Sequence, residues 1–408
     1  MSSVLPILAI PIAHAARAGL AALFIAVAGC TTAPPLSGAR SATATTSAPV
    51  VRAAPQPALD PAPVVRTAPA PAAAAVQPTT ASAAAATSRN DAIALVLPLE
   101  SPTYGRAADA VKAGFMAAAE RAGAGGRVRV IGHGDDGVLP AFAAAEQSGA
   151  ALVVGPLTRD DLKTVLAMAP ERPRMLALNL PDDLTQLPSE AYALTLGVDG
   201  DATLLARVAR AEGVRAVAVV ATDAPLQKRF AAAFAAEWRR NGGAAPREYR
   251  FDANPEVLTL LRRELGARPP DAVVLAVDAE DASLAKSFLP PGPVFAVSQI
   301  ADGLPSTKLR DLEGVRYVEI PWLADPDAPT LSRMPHANLE SPVLERLYAL
   351  GLDAFAVAQM LAEAVPPTRI ELDGATGRIV LTTTRVFERQ GRVVAIREGR
   401  IQLLPPAQ

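Results

Sequence analysis

The chain has 408 residues, a formal net charge of −2 and only 4% aromatic residues, and the near-balanced charge leaves no basic stripe, which argues against a nucleic-acid partner. Half of the residues are hydrophobic, but alanine supplies much of that share, so the core is smaller than the figure suggests. A single cysteine, Cys30, excludes an intramolecular disulfide and a cysteine-based metal cage.

Residues 1–29 hold one charged side chain, Arg17, followed by an apolar segment over 18–28 that ends in Val27-Ala28-Gly29-Cys30. The segment is too short to span a bilayer. Small residues just ahead of a cysteine resemble a bacterial lipoprotein signal, which predicts cleavage before Cys30 and lipidation of its thiol. An ordinary signal peptide or a membrane anchor is the alternative reading. Thr31 follows the cysteine where an inner-membrane lipoprotein would carry Asp; by resemblance to enterobacterial sorting, the expected place is the outer membrane, facing the periplasm. Residues 30–90 then read as a lipidated cysteine and a tether of Ala, Pro, Thr and Ser. Proline recurs too often there for a helix, and such a composition buries too little surface to offset its ordering entropy, so disorder is predicted. Fully extended at about 3.1 Å per residue, this leash would reach roughly 180 Å.

From Asp91 the texture changes. Unalternated apolar runs, the mark of strands buried on both faces, fall at 93–97, 151–154, 175–178, 272–277 and 294–297, and further strands are predicted at 128–131, 214–220, 248–251 and 315–320. Amphipathic stretches lie between them. The stretch 151–181 organises the rest: an apolar run, Gly155-Pro156, Thr158 as helix cap with Asp160 and Asp161 in the first turn, then Pro170 and Pro173, a second apolar run, and Asn179. This is a β-α-β unit whose loops leave the carboxyl ends of parallel strands, where a cleft forms in open α/β sheets. Strand-helix alternation continues through about 297, with Asp199 or Asp201 expected to cap one helix. A long apolar helix follows over 344–364, then alternating strands at 378–381, 385–387 and 393–397 with Gln390-Gly391 and Glu398-Gly399 as turns. The prediction is an α/β fold of two lobes with parallel sheets flanked by helices over 91–403, the first lobe about 91–195 and the second about 196–297, each completed by late segments.

Two such lobes with late crossings resemble the type I periplasmic-binding-protein fold. Val154-Gly155-Pro156-Leu157, Leu176-Ala177-Leu178-Asn179, Pro321-Trp322, Ala349-Leu350-Gly351-Leu352-Asp353-Ala354 and Gly374-Ala375-Thr376-Gly377 fall in the order seen in the LppC/LpoA family of penicillin-binding protein activator lipoproteins, a similarity covering about 91–403. The resemblance implies a non-enzymatic outer-membrane lipoprotein, without a cofactor, that docks on a class A penicillin-binding protein and stimulates peptidoglycan synthesis. Well-known members carry an N-terminal helical-repeat domain where this chain has its Ala/Pro-rich tether. The alternative function is a substrate-binding lipoprotein of an amino-acid or amide ABC transporter.

The candidate cleft residues follow from the strand ends. Ser101, Thr103 and Tyr104 follow the first strand; Gly155, Leu157 and Thr158 follow the third; Asn179 follows the next. Short hydroxyls, glycine and helix N-termini suit a carboxylate ligand, and they equally suit capping. Leu157 puts an apolar residue where a carboxylate would want a polar one. Asp223 and Asp278 end strands of the second lobe, as do Asp199, Asp201 and Glu280, with capping the better reading. Trp322 heads an irregular loop, where it would either anchor a partner or cover the cleft; Trp238 reads as core. Gly132-His133-Gly134-Asp135-Asp136-Gly137 fits GxGxxG, but two carboxylates beside a pyrophosphate oppose that chemistry, so a cleft loop or cap with a surface or loop histidine is expected. No catalytic triad, zinc motif or phosphate loop accompanies these residues, and no metal is expected.

Overall fold

The computed structural model describes residues 92–167, 172–180 and 187–405. The signal segment, Cys30, the tether and the Pro170 helix stop lie outside the described residues.

In the first lobe the strands are β1 (Ile93–Leu97), β2 (Val128–Gly132), β3 (Leu152–Val154), β4 (Met175–Ala177) and β5 (Ala191–Leu194). Helices α1 (Gly105–Arg121), α2 (Val138–Gln147) and α3 (Arg159–Leu166) connect them. The second lobe runs α4 (Val198–Ala211), β6 (Val217–Ala221), α5 (Pro225–Arg240), β7 (Arg247–Arg250), α6 (Pro255–Ala267), β8 (Ala272–Ala276), α7 (Ala279–Ser287) and β9 (Val294–Ala296). It continues through the short helix α8 (Ser306–Leu309) to β10 (Val315–Glu319). The single-turn α9 (Pro321–Ala324), the long α10 (Pro342–Leu361) and strands β11 (Glu371–Gly374), β12 (Gly377–Leu381) and β13 (Val386–Gln390) return to the first lobe. β14 (Arg392–Arg397) and β15 (Arg400–Leu403) close the second.

The two sheets are built alike. One has the order β2-β1-β3-β4-β5-β13-β12-β11, the other β7-β6-β8-β9-β10-β14-β15. In each, the first five strands are parallel and repeat one winding, so each has a switch point, between β1 and β3 and between β6 and β8. Connections there leave in opposite directions and open a crevice. The chain crosses between lobes three times: from β5 to α4, from β10 to α9, and from β13 to β14.

Several expectations change. Gln390-Gly391 is not a hairpin turn: β13 pairs parallel with β5 in one sheet, and β14 pairs antiparallel with β10 in the other. Glycine is required at 391 because the crossing runs against its neighbour; an added Cβ would lie 2.7 Å from Val318 Cγ1 and 2.8 Å from the Glu319 carbonyl oxygen. β5 and β11 escape the apolar-run criterion because they are short, four residues each, and Glu371 and Asp373 also break up β11. Pro321-Trp322 opens a helical turn, not an irregular loop.

α10 explains how the late segments rejoin the first lobe. It lies across α1 with backbones nearly touching, since a Cβ on Gly114 would strike the Tyr348 carbonyl and one on Gly351 would strike the Val111 carbonyl. Two facing glycines remove the side chains that normally hold helices 8–10 Å apart. Around that crossing, Phe115 and Phe355 meet edge to face at 5.3 Å, and Tyr348, Leu352 and Leu361 join β1, β3 and α1 in one buried cluster. Phe230, Phe234 and Trp238 anchor the second lobe, so Trp238 is core, its indole N–H donating to the Ala244 carbonyl at 2.8 Å.

Candidate functional site

The crevice between the lobes is the natural place for a ligand, and its rim is built from the strand-end loops. Gly155 has φ +115°, and a Cβ there would collide with the Val96 carbonyl, so only glycine lets β3 leave the sheet beside β1. The two most specific sequence motifs are tied to one another. Gly155 N–H donates to the Leu176 carbonyl at 2.8 Å, Leu178 N–H donates to Pro156 at 2.9 Å, and Asn179 Nδ2 donates to Leu157 at 3.1 Å. Asn179 Oδ1 accepts from Leu180 N–H at 2.9 Å and from Arg159 Nε at 3.3 Å. Its amide therefore holds two loops together.

The other rim residues are similarly engaged. Ser101 Oγ accepts from Tyr104 N–H at 3.2 Å. Thr158 caps α3, accepting from Asp161 N–H at 3.1 Å and donating to the Asp161 carboxylate at 2.5 Å. Asp278 caps α7, accepting from Asp281 N–H at 3.2 Å. Asp223 pairs with Lys228 at 2.8 Å and Arg250 at 2.7 Å, and the Lys228 hydrogen bond holds its carboxyl below the usual range. Thr103 and Tyr104 are exposed. Of the ten candidate cleft residues, the structure brings Leu157 and Asn179 into the wall of the inter-lobe cavity.

Two further placements correct the sequence reading. Trp322 does not present itself to a partner or cover the cleft. It is 2% exposed, stacked on His336 at 4.2 Å and packed by Tyr348, with its indole N–H donating to Glu345 at 2.8 Å. The helical turn at 321–324 turns the ring into the first lobe's core. His133 lies in the loop after β2, as one alternative had it, but is buried rather than on the surface; its Nε2 makes no hydrogen bond among the described residues and lies 3.9 Å from the Asp161 carboxylate.

The cavity itself measures about 330 Å³. Its walls are Leu157, Leu178 and Asn179 from the first lobe, Leu196 and Val198 from the first crossing, Leu226 and Arg229 from α5, and Leu347 and Leu350 from α10. Aliphatic side chains dominate, and Arg229 pairs with Asp199 at 2.7 Å.

Beneath it lies a set of buried charges that was not foreseen. Asp199 and Asp201 do not cap α4: Gly197 holds that position, and both acids occupy the first turn, where the helix N-terminus favours them. Asp201 accepts from Arg389 at 2.8 Å, and Arg389 also donates to the Thr376 carbonyl at 3.0 Å. Arg346 is gripped by two carboxylates, with Glu319 at 2.6 and 3.0 Å and Asp302 at 2.8 and 3.0 Å. Burial alone would lower the Arg346 pKa, but these carboxylates outweigh it and hold the guanidinium charged. Asp353 on α10 accepts from Ala375 N–H and Thr376 N–H at 2.7 Å each and from the Thr376 hydroxyl at 2.6 Å, which clamps the β11–β12 turn. Burial pushes both Asp201 and Asp353 up to about 6, against the pull of Arg389 on the first and of the donated hydrogen bonds on the second. A smaller cavity of about 160 Å³ adjoins Asp201, Glu319, Arg346 and Arg389. The sequence cues to this set are Arg346 and Asp353, two charged residues on the buried side of a mostly apolar helix.

The arrangement matches known proteins on both lobes. The chain is 27% identical over 307 residues to the penicillin-binding protein activator LpoA of Edwardsiella piscicida, covering 64% of this chain and 44% of that protein. It thus spans less than half the length of the curated relatives it matches. Among solved structures it resembles the LpoA (YraM) C-domain of Haemophilus influenzae, described as a regulator of PBP1A, with TM-score 0.65 and 22% identity over 77% of this chain and 99% of that one. It also resembles a structure from Chromobacterium violaceum ATCC 12472 described as a putative branched-chain amino acid ABC transporter, with TM-score 0.64 and 34% identity over 74% of this chain and 99% of that one. The model of the family described as "LppC putative lipoprotein" matches residues 65–262 and 262–399, and the chain belongs to that family.

Proposed function

We propose that this chain is a lipoprotein, anchored through Cys30 to the outer membrane and facing the periplasm, that binds and activates a class A penicillin-binding protein without catalysing a reaction itself. The observation that carries this reading is the family match across both lobes, with relatives named for that activation. The site geometry supports it. Hydroxyls, amides and carboxylates at the strand ends of the crevice cap helices, tie loops or pair with basic side chains. The tether would carry the folded body toward a synthase in the inner membrane. Crosslinking in intact envelopes should capture a class A synthase on this chain, and the purified chain should raise that synthase's rate of glycan polymerisation. Neither capture nor stimulation would reject the reading.

A second reading, a receptor for an amino-acid transporter, is favoured by the 34% identical structure from Chromobacterium violaceum. The aliphatic lining of the 330 Å³ cavity would suit a branched side chain. A thermal-shift screen with an amino-acid panel separates the two, because a receptor gains several degrees from a tight ligand at saturating concentration.

A further inference from the structure

We propose that Arg346 and Arg389 form a latch that fixes the two lobes at one angle, so that this body does not open and close around its crevice. Arg346 belongs to α10, which is bound to α1 of the first lobe through the Gly114–Gly351 crossing. Its guanidinium leaves that lobe and meets Glu319 at the end of β10 and Asp302 beyond β9, both in the second. Arg389, the penultimate residue of β13 in the first lobe, reaches Asp201 in the first turn of α4 in the second. Both links span the lobes beside the crossings, which is where a hinge would have to bend.

A guanidinium that donates four hydrogen bonds to two carboxylates is held in one orientation, because its donors form a rigid planar fork. A buried ion pair adds little net stability over a packed apolar contact, but it specifies geometry, since any displacement breaks several directed bonds together. The surroundings tighten this. The Arg389 side chain is 5% exposed and that of Glu319 4%. The third crossing passes Val318 and Glu319 so closely that only Gly391 fits. The first crossing enters α4 at Gly197, two residues after Thr195, whose hydroxyl accepts from Gly197 N–H at 3.1 Å. A lobe rotation would therefore need to break the fork and move these two restrained crossings at once. Such a body presents a constant shape to whatever it meets, and this inference stands whether or not that partner is a synthase.

The test uses the full chain with Cys30→Ser and spin labels at Glu120→Cys on α1 and Glu264→Cys on α6, both exposed. Pulsed dipolar spectroscopy should give one narrow distance distribution, unmoved by an amino-acid panel. Arg346→Met should broaden or displace it by several ångströms, and Arg346→Lys, which keeps the charge and loses the fork, should fall between. A broad or two-component distribution in the unmutated latch, a shift on adding amino acids, or an Arg346→Met trace identical to the parent would overturn the proposal. If Arg346→Met does not fold, hydrogen exchange on the unmutated chain decides. Amides of Ile320 and Gly391 in the crossings should exchange as slowly as those of β1 and β8, and faster exchange in the crossings alone would reject the latch. Synthase capture is read separately, so failure of one proposal leaves the other standing.

Discussion

The rim of the crevice and the hinge beneath it use polar residues in opposite ways. At the rim, Ser101, Thr158, Asn179 and Asp278 bond to backbone or side chains of their own or adjoining loops, close to water. At the hinge, Arg346, Glu319, Asp201 and Asp353 are buried and the Arg389 side chain is nearly so, and most of their partners lie far away in sequence. The first pattern sets the shape of single loops. The second sets how the late segments and the two lobes meet. Losing a rim contact should therefore cost one local bond, whereas losing a hinge partner strands a charge in the interior.

The largest effect is expected at Arg346. Its replacement by methionine removes the fork and leaves the Glu319 and Asp302 carboxylates facing each other at low exposure, a loss of about 3–5 kcal/mol by the usual cost of breaking a buried pair. Urea denaturation followed by circular dichroism would measure it. A loss below about 1 kcal/mol would show that the hinge is as tolerant as the rim and would erase the contrast.

A second effect comes from pH. Burial pushes the carboxyls of Asp201 and Asp353 up to about 6, well above the ordinary aspartate range, so the folded state holds their protons more tightly. Stability from these two groups is fully present below about 4 and is lost as pH rises through about 6. Lowering pH from 7 to 5 should thus raise stability by roughly 1 kcal/mol for each, about 2–3 together. Glu237 and Asp271 are shifted the other way, the first chiefly by Arg207 and the second by backbone N–H groups of Arg215 and Ala216. Their contribution is lost only at lower pH. Urea midpoints across pH 5–7 test this, and Asp201→Asn should remove about half of the gain.

The sequence carried the lobes well and the hinge poorly, for a physical reason. Strands buried on both faces, such as Ile93–Leu97 and Ala272–Ala276, announce themselves as apolar runs, and Thr158 announces a helix start by its type and the acids that follow. Those signals are local. Arg346 and Glu319 lie 27 residues apart and Arg389 and Asp201 188 apart, so their pairing exists only once the sheets are assembled. Trp322 shows the same limit. Pro321 beside it read as a loop, whereas Pro at the first position of a helical turn and a long-range bond to Glu345 bury the ring. Asp353 was visible only as part of a family-like motif, and its role emerged when the Gly374-Ala375-Thr376-Gly377 turn folded onto it.

That clamp gives a third test. Asp353→Asn keeps the size of the side chain but replaces one acceptor oxygen with an N–H donor aimed at a cluster of donors: two backbone amides and the Thr376 hydroxyl. The expected loss is about 1–3 kcal/mol from an unsatisfied buried group, with faster hydrogen exchange at Ala375 and Thr376. The substitution should also flatten the pH 5–7 gain by the share assigned to Asp353, which a purely steric effect would not do.

The smallest effect belongs to the rim. Thr158→Ala deletes the α3 cap and the hydroxyl that donates to Asp161, for an expected loss of about 1 kcal/mol. Because this bond closes within its own helical turn, the inter-lobe distance should not change and the pH 5–7 slope should match the parent. If Thr158→Ala instead abolished a thermal shift given by an amino acid, the hydroxyl would be a ligand contact as well as a cap, and the receptor reading would gain at the activator's expense. An unchanged response to every amino acid, with only the modest loss of stability, is what a rim built for its own loops predicts.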